Sequence, residues 1–380
     1  MSDVLIFGDT ERSPELRHEI PVGIGDPFLY VERGDERHVV VGSLELPRLE
    51  GLGLQIHPLE EFGIEEVRRE LAGQPMGAVV EEVSRRAAVA LGLRSARVPA
   101  TTPLGFADSL RASGIELTVD RTLFNTRRRS KSPHELDGIR RAQRAAEAGM
   151  AAVRDRLAAA TIGDSGALSL DGEPLTSEVL KTAVSIAFSH HGAAASDFVV
   201  SHGAQAAIGH HGGGGAVMVG ETVVVDLWPM DVESACFADM TRTFVVGEPS
   251  DEVATWWRLC KQVLDEVTAM ARPGITGKEL YDHACDIFEG AGFPTQRTKA
   301  DGVVLEDGFF HSLGHGVGLE VHEEPLLGST GRAKLVPGDV IAVEPGLYRA
   351  GYGGCRLEDL LLITETGVER LTDFPYDLAP

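Results

Sequence analysis

The alternation of apolar and polar positions divides this chain into strands and helices before any chemistry is considered. Phe28-Leu-Tyr-Val-Glu and His38-Val-Val-Val-Gly are apolar runs on either side of a Gly-Asp pair, which predicts two paired strands and a tight turn. Val79 to Leu91 carries helical periodicity, and Ala96-Arg-Val-Pro reads as the next strand. Residues 1 to about 125 thus form an α/β unit with no visible chemistry of its own. Ser132-Pro133-His134-Glu135 is a capping box with proline at the first helical position. It predicts a long helix from Pro133 to about Ala159, with Leu136, Ile139, Ala142, Ala146 and Met150 on one face. The domain boundary is placed just before it, giving residues 1–127 and 128–380. The basic stretch from Thr126 to Lys131 is short and isolated, so a linker or solvated face is expected.

Residues 162–176 are rich in Gly and Asp and read as a loop, followed by a helix near Thr176–Ser189. His190-His191 at its end are expected at the surface. His210-His211 precede four glycines but lack the lysine and spacing of a phosphate loop, so a flexible turn is expected. Glu221–Asp226 and Met240–Gly247 read as strands. Ser250 caps a helix carrying Trp256, Trp257, Leu259, Val263 and Val267, whose tryptophans are read as packing. Thr276 and Glu279 form a second capping box, opening a helix through Phe288, and two further strands carry Glu344 and Glu358. Helices followed by strand pairs occur twice, an internal pseudo-repeat, with no period of solenoid length.

Composition narrows the class. With 43% hydrophobic and 24% charged residues over 380 positions, the chain can bury a large core and make two domains. The formal charge of -23 excludes nucleic acid and anionic membrane as natural partners, since both require basic surface. The opening residues lack the basic and apolar regions of a signal peptide, and no run approaches a membrane span. Cys236, Cys260, Cys285 and Cys355 show no CxxC pairing, so reduced thiols and a cytoplasmic location are expected.

The chemistry lies in the second half. His311-Ser-Leu-Gly-His315-Gly-Val-Gly-Leu-Glu-Val-His322-Glu323 threads three histidines with glycines, the pattern of a tight segment facing a ligand. Val-Val-Val-Asp226, Ala-Asp239-Met-Thr-Arg-Thr, Val-Glu344-Pro-Gly and Arg356-Leu-Glu358-Asp each attach a carboxylate to a predicted strand. Four buried carboxylates are costly without cations, and oxygen ligands with one imidazole suit two divalent metals.

These motifs resemble the pita-bread metallopeptidases, in the Xaa-Pro aminopeptidase and prolidase branch. The C-terminal half matches motif by motif, and the N-terminal part is similar to a creatinase-type domain in size and α/β character. The resemblance implies an α/β (α+β) architecture, with a pita-bread catalytic domain of pseudo-twofold αββ repeats behind the smaller domain. It also implies two divalent ions, manganese first, with cobalt, zinc or iron as alternatives. Asp226 would chelate one ion, Asp239 and Glu358 would bridge both, and His315 and Glu344 would bind the other. A water shared by the ions would become the hydroxide nucleophile. Glu344 would shuttle its proton, and His322 would hydrogen-bond the scissile carbonyl. His311 would contact the residue after the cleaved bond, His210 would line the opposite wall, and Arg356 would orient Asp226 or a bridging carboxylate. The spacing of Asp226 and Asp239 is longer than the family's usual one. Asp231, in the intervening turn, is a rival ligand expected to remain solvated.

The function so implied is hydrolysis of the bond before proline in small peptides, by a protein resembling homodimeric relatives. Hydrolysis of a small modified-amino-acid amide is the second enzymatic reading. A non-enzymatic binding protein on the same fold is the third, opposed by the retained ligand set.

Overall fold

A computed structural model describes residues 3–380 of the chain. The chain divides into two compact units, Met1–Arg128 and Arg129–Pro380.

In the first unit, six strands form one sheet: β1 (Asp3–Gly8), β2 (Phe28–Arg33), β3 (Glu36–Val41), β4 (Gln55–Pro58), β5 (Ser95–Val98) and β6 (Glu116–Val119). Their order is β4-β3-β2-β1-β5-β6. The β2–β3 hairpin turns at Gly34, whose φ of 62° favours glycine. Period-two alternation gives the sheet two cores. Leu5, Phe7, Leu29, Val31 and Val40 face a cluster with Val67, Val83 and Leu110, from α3 (Ile64–Glu70), α4 (Met76–Ala90) and α5 (Leu104–Ala112). Val4, Ile6, Phe28, Tyr30, Val39 and Val41 face Leu16 of α1 (Pro14–Glu19), Leu49 of α2 (Leu46–Leu49) and Phe124 of α6 (Arg121–Arg129). The basic stretch expected as a linker is therefore partly helix, the end of α6. Arg127 there binds Glu19 at 2.8 Å and Glu32 at 2.7 Å, because long guanidinium side chains can bury their stems and still reach carboxylates.

The second unit opens with α7 (Pro133–Ala159), whose capping box closes as the sequence predicts. Residues 162–176, expected as a loop, instead hold much of a small meander of β7 (Thr161–Ile162), β8 (Leu168–Leu170) and β9 (Glu173–Pro174). Its strands are too short to leave a periodic signal. Next come α8 (Ser177–His190), β10 (Ala193–Ala194), β11 (Val199–His202), β12 (Thr222–Leu227), β13 (Met230–Asp231) and β14 (Met240–Val245). Strands β11-β12-β14 form an antiparallel sheet, and its apolar side packs with α7 and α8 through Ala146, Met150, Leu180, Val184, Val223, Val225 and Phe244.

The same arrangement then recurs. α9 (Asp251–Met270) and α10 (Gly277–Gly290) precede β15 (Gly314–Gly316), β16 (Glu323–Leu327), β17 (Val340–Val343), β18 (Gly346–Arg349), β19 (Gly353–Arg356), β20 (Asp359–Ile363) and β21 (Val368–Arg370). The five-stranded sheet has the order β16-β15-β17-β20-β21, and β18 pairs with β19. Trp256, Val263, Leu280 and Phe288 pack with Ile341, Val343, Leu361 and Ile363, so each half backs a strand pair with two helices. Trp256 is buried and Trp257 partly buried in this core. All four cysteines are buried and free. Among the described residues, no helix is long and apolar enough to cross a membrane.

Candidate active site

Both strand pairs deliver carboxylates to one place. Asp226 lies in β12, in register with Thr241 of β14, and Asp239 immediately precedes β14. His315 is the middle residue of β15 and pairs with Ala342 of β17. Glu344 follows β17, and Glu358 precedes β20. Strand ends suit this task, because the backbone leaves its ladder there and side chains from different strands can converge. The glycines beside His315 permit close packing: a Cβ on Gly314 would collide with the Ala342 carbonyl, and one on Gly316 with the Glu324 carbonyl.

Asp239, His315 and Glu358 are buried, and one ligand atom from each lies within 4.8 Å of the others. His315 Nε2 is 3.7 Å from Asp239 Oδ2 and 3.8 Å from Glu344 Oε1. His315 Nδ1 lies 3.1 Å from the Gly316 carbonyl. An N–H there donates to that oxygen and leaves the Nε2 lone pair facing the acids, the tautomer a metal requires.

The electrostatics of the cluster are unbalanced without added cations. Burial raises the Asp239 carboxyl well above its usual range, and the charges of Glu358, Asp226 and Glu344 raise it further. Burial likewise raises Glu358, reinforced by Glu344 and Asp226. Glu344 is pushed up to about 8 by burial, with Arg356 opposing and Asp226 adding to the rise. Burial lowers His315 to about 3, helped by His322. Asp226 Oδ1 and Asp239 Oδ1 are buried with no hydrogen-bond partner, which in an interior is costly. Orphaned carboxylate oxygens, mutually repelling acids and a neutral imidazole together form the donor set of a hard or borderline divalent ion. The residues fit the metals that the sequence implies.

Arg356 is the cationic hub beside the cluster. Its guanidinium donates to Asp226 Oδ2, to Tyr348 Oη at 2.8 Å and to Thr241 Oγ1 at 3.2 Å. Thr241 Oγ1 in turn donates to Glu358 Oε2 at 2.7 Å. Alternation along Asp-Met-Thr-Arg-Thr sorts these contacts. Thr241 and Thr243 reach Glu358 and the Arg356 backbone, whereas Arg242 reaches the other way, to Asp359 at 3.0 Å. Thr241 and Tyr348 were not singled out from sequence. Period-two alternation could have flagged Thr241, but only folding brings Tyr348 to Arg356.

The histidines separate by environment. His311 is half-buried, with Nδ1 at 2.7 Å from the Ser312 carbonyl and Nε2 at 3.0 Å from Tyr348 Oη. Burial lowers it to about 3, and the charges of Arg356 and His210 add to this. His322 is exposed and packs edge-on against His315, with ring centroids 4.2 Å apart. Partial desolvation of its packed ring lowers it, as does His210, which places His210 within electrostatic reach of both His311 and His322. His211 Nδ1 instead accepts from the Gly213 amide at 3.0 Å.

Asp231 departs from expectation. It is buried, not solvated: Arg141 of α7 holds it at 2.9 and 2.8 Å, and Ser234 Oγ donates to it at 2.6 Å. Burial would raise its carboxyl, but the bonds from Arg141 and Ser234 outweigh this and lower it. Met230 and Asp231, in the turn after Asp226, form β13, which pairs with β10. A turn read from sequence looks solvent-facing because its partner, Arg141, lies far away along the chain.

Comparison with known proteins agrees with this architecture. An Xaa-Pro dipeptidase of Pyrococcus furiosus is 38% identical over 159 residues, covering 42% of this chain and 42% of that protein. This aligned stretch therefore spans less than half of that relative. The probable dipeptidase PepE of Mycobacterium tuberculosis is 29% identical over 337 residues, 88% of this chain and 82% of that one. The prolidase of Pyrococcus horikoshii OT3 matches in structure with a TM-score of 0.76 and 24% identity, covering 100% of this chain and 95% of its own. The X-Pro aminopeptidase of Thermotoga maritima MSB8 gives 0.76 and 21%, covering 98% and 96%. The second unit has the pita-bread fold. The description "Metallopeptidase family M24" matches residues 137–365, a span that includes all five converging ligand-type side chains, and the chain belongs to that family.

Proposed function

We propose that this protein is an exopeptidase with two divalent ions, manganese first, that hydrolyses the bond before proline in small peptides. The observation that carries the reading is the convergence of Asp239, His315 and Glu358 within 4.8 Å, flanked by Glu344 and by the orphaned oxygen of Asp226. The activities named for the relatives, Xaa-Pro dipeptidase and X-Pro aminopeptidase, support proline after the cleaved bond. Asp226 would hold one ion, Asp239 and Glu358 would be shared, and His315 and Glu344 would complete the other. Bound ions would supply Lewis acidity and lower the pKa of water.

The chain's own groups account for the proton and the charge. Glu344 accepts the proton of the attacking water and returns it to the proline nitrogen as the C–N bond breaks. His322 donates to the carbonyl oxygen as charge develops there. His311 contacts the residue after the bond, and His210 lines the opposite wall. Arg356, fixed by Tyr348 and Thr241, orients Asp226.

The test compares Xaa-Pro dipeptides, longer Xaa-Pro peptides, Xaa-Ala controls and small modified-amino-acid amides, with metal content measured in parallel. Metal-dependent cleavage of Xaa-Pro bonds supports the reading. Cleavage of the amides alone, or of Xaa-Ala as readily as Xaa-Pro, overturns it.

A further inference from the structure

We infer that Lys131 is a positioning residue for His322, acting through Glu323; the inference rests on reading His322 as the group that meets the scissile carbonyl. Lys131 belongs to the basic stretch that the sequence assigned to a linker or solvated face. Its side chain is 2% exposed and pairs with Glu323, whose side chain is 5% exposed. Glu323 directly follows His322 and opens β16, where it stands opposite Gly316 across an irregular register. The ion pair packs against the segment that leads to His322. A Cβ on Gly318 would stand 2.6 Å from Glu323 Oε1 and 2.8 Å from Lys131 Cε and Nζ. The backbone at Gly318 therefore rests on the two charged groups, and its carbonyl accepts from the Phe237 amide at 2.8 Å.

His322 needs such support. Its side chain is exposed, and its ring packs edge-on against His315. An exposed side chain takes much of its placement from the backbone beneath it, whereas a donor to a developing oxyanion must be placed closely. A buried ammonium–carboxylate pair is a stiff anchor, because separating it moves charge through a dry region. The pair fixes the backbone of Glu323 and hence the direction of the residue before it. Arg129, two residues earlier, serves as an internal comparison. It holds buried Asp339 at 2.8 and 2.6 Å, but Asp339 leads into β17 and not to His322.

The test uses the full chain loaded with manganese. Lys131→Met should lower kcat on an Xaa-Pro dipeptide at least ~10-fold with KM within about threefold, the pattern of an interaction realised in the transition state. Metal content should stay unchanged, and Lys131→Arg should restore most of the rate. Added to His322→Ala, Lys131→Met should cost less than about twofold more, since residues acting as a unit are not additive. Arg129→Met should lower Tm and keep kcat. A second readout needs no substrate and uses the zinc-loaded chain, because paramagnetic manganese would erase a ring signal so near His315: the ring 1H–13C signal of His322, assigned by its loss in His322→Ala, should shift or broaden in Lys131→Met and not in Arg129→Met. If the wild type cleaves no Xaa-Pro peptide, the functional reading fails and the ring signal alone decides the inference. An unmoved ring signal, or losses that multiply fully with His322→Ala, overturns it. Should Lys131→Met not fold, Glu323→Gln keeps the shape of its site and carries the same measurements.

Discussion

Glu358 and Asp359 are consecutive, and both are about 1% exposed, yet they meet opposite surroundings. Asp359 faces Arg242 at 3.0 Å, with both side chains about 1% exposed, and also accepts from the Tyr376 hydroxyl. Glu358 faces Asp239, Glu344 and Asp226, all of its own sign. The contrast extends through the second unit. Asp231 has Arg141, and Asp339 has Arg129, so the protein supplies its own countercharge. The cluster of Asp239, Glu344 and Glu358 shares one nearby arginine, Arg356, whose guanidinium is engaged with Asp226, Tyr348 and Thr241. Burial of a carboxylate is thus no sign of function by itself. A buried carboxylate whose nearest charges repel it is, because its stability then depends on a cation the chain does not encode.

Breaking each kind of site should give a different loss. Glu344→Gln removes the proton acceptor while keeping the shape of the side chain, and turnover should fall by ~10²–10⁴-fold with the fold intact by circular dichroism. Activity within roughly tenfold of wild type would remove Glu344 from the shuttle role. Asp226→Asn should lower both metal content and turnover if its charge holds an ion. Arginine-paired carboxylates should behave otherwise. Asp359→Asn leaves Arg242 buried without its countercharge and should cost about 3–5 kcal/mol of stability by denaturant titration. Asp231→Asn should cost less, about 1–3 kcal/mol, since Arg141 is 30% exposed and partly screened. Neither of these two should change metal content. If Asp231→Asn empties the site while Asp226→Asn does not, the first-ion ligand is Asp231.

The smallest effect is the pH dependence of the chelated protein. Glu344 rises to about 8, so its folded pKa lies above the unfolded value. Its contribution is present at low pH and is lost as pH rises through 8. Asp239 and Glu358 shift in the same direction. His311 and His315 fall to about 3, so their contribution is complete above their unfolded value of about 6.5. Between pH 6.5 and 8, the acids alone should therefore change stability. With chelator, Tm should fall across that window, and added manganese should raise Tm more at pH 8 than at pH 6.5. A flat Tm across the window in chelator would show that the acids are not destabilised by one another.

Local pattern determined much of this protein. Apolar runs place β2, β3, β12 and β14, and two capping boxes open α7 and α10, because an apolar run and a helix cap are each written in residues a few positions apart. The attachment of Asp226, Asp239, Glu344 and Glu358 to strands was legible for the same reason. Only the tertiary structure decided which charges meet. Arg141 reaches Asp231, Lys131 reaches Glu323, and Tyr348 joins His311 to Arg356. Coulomb energy and desolvation depend on distance in space, and the chain order of these residues carries no record of it.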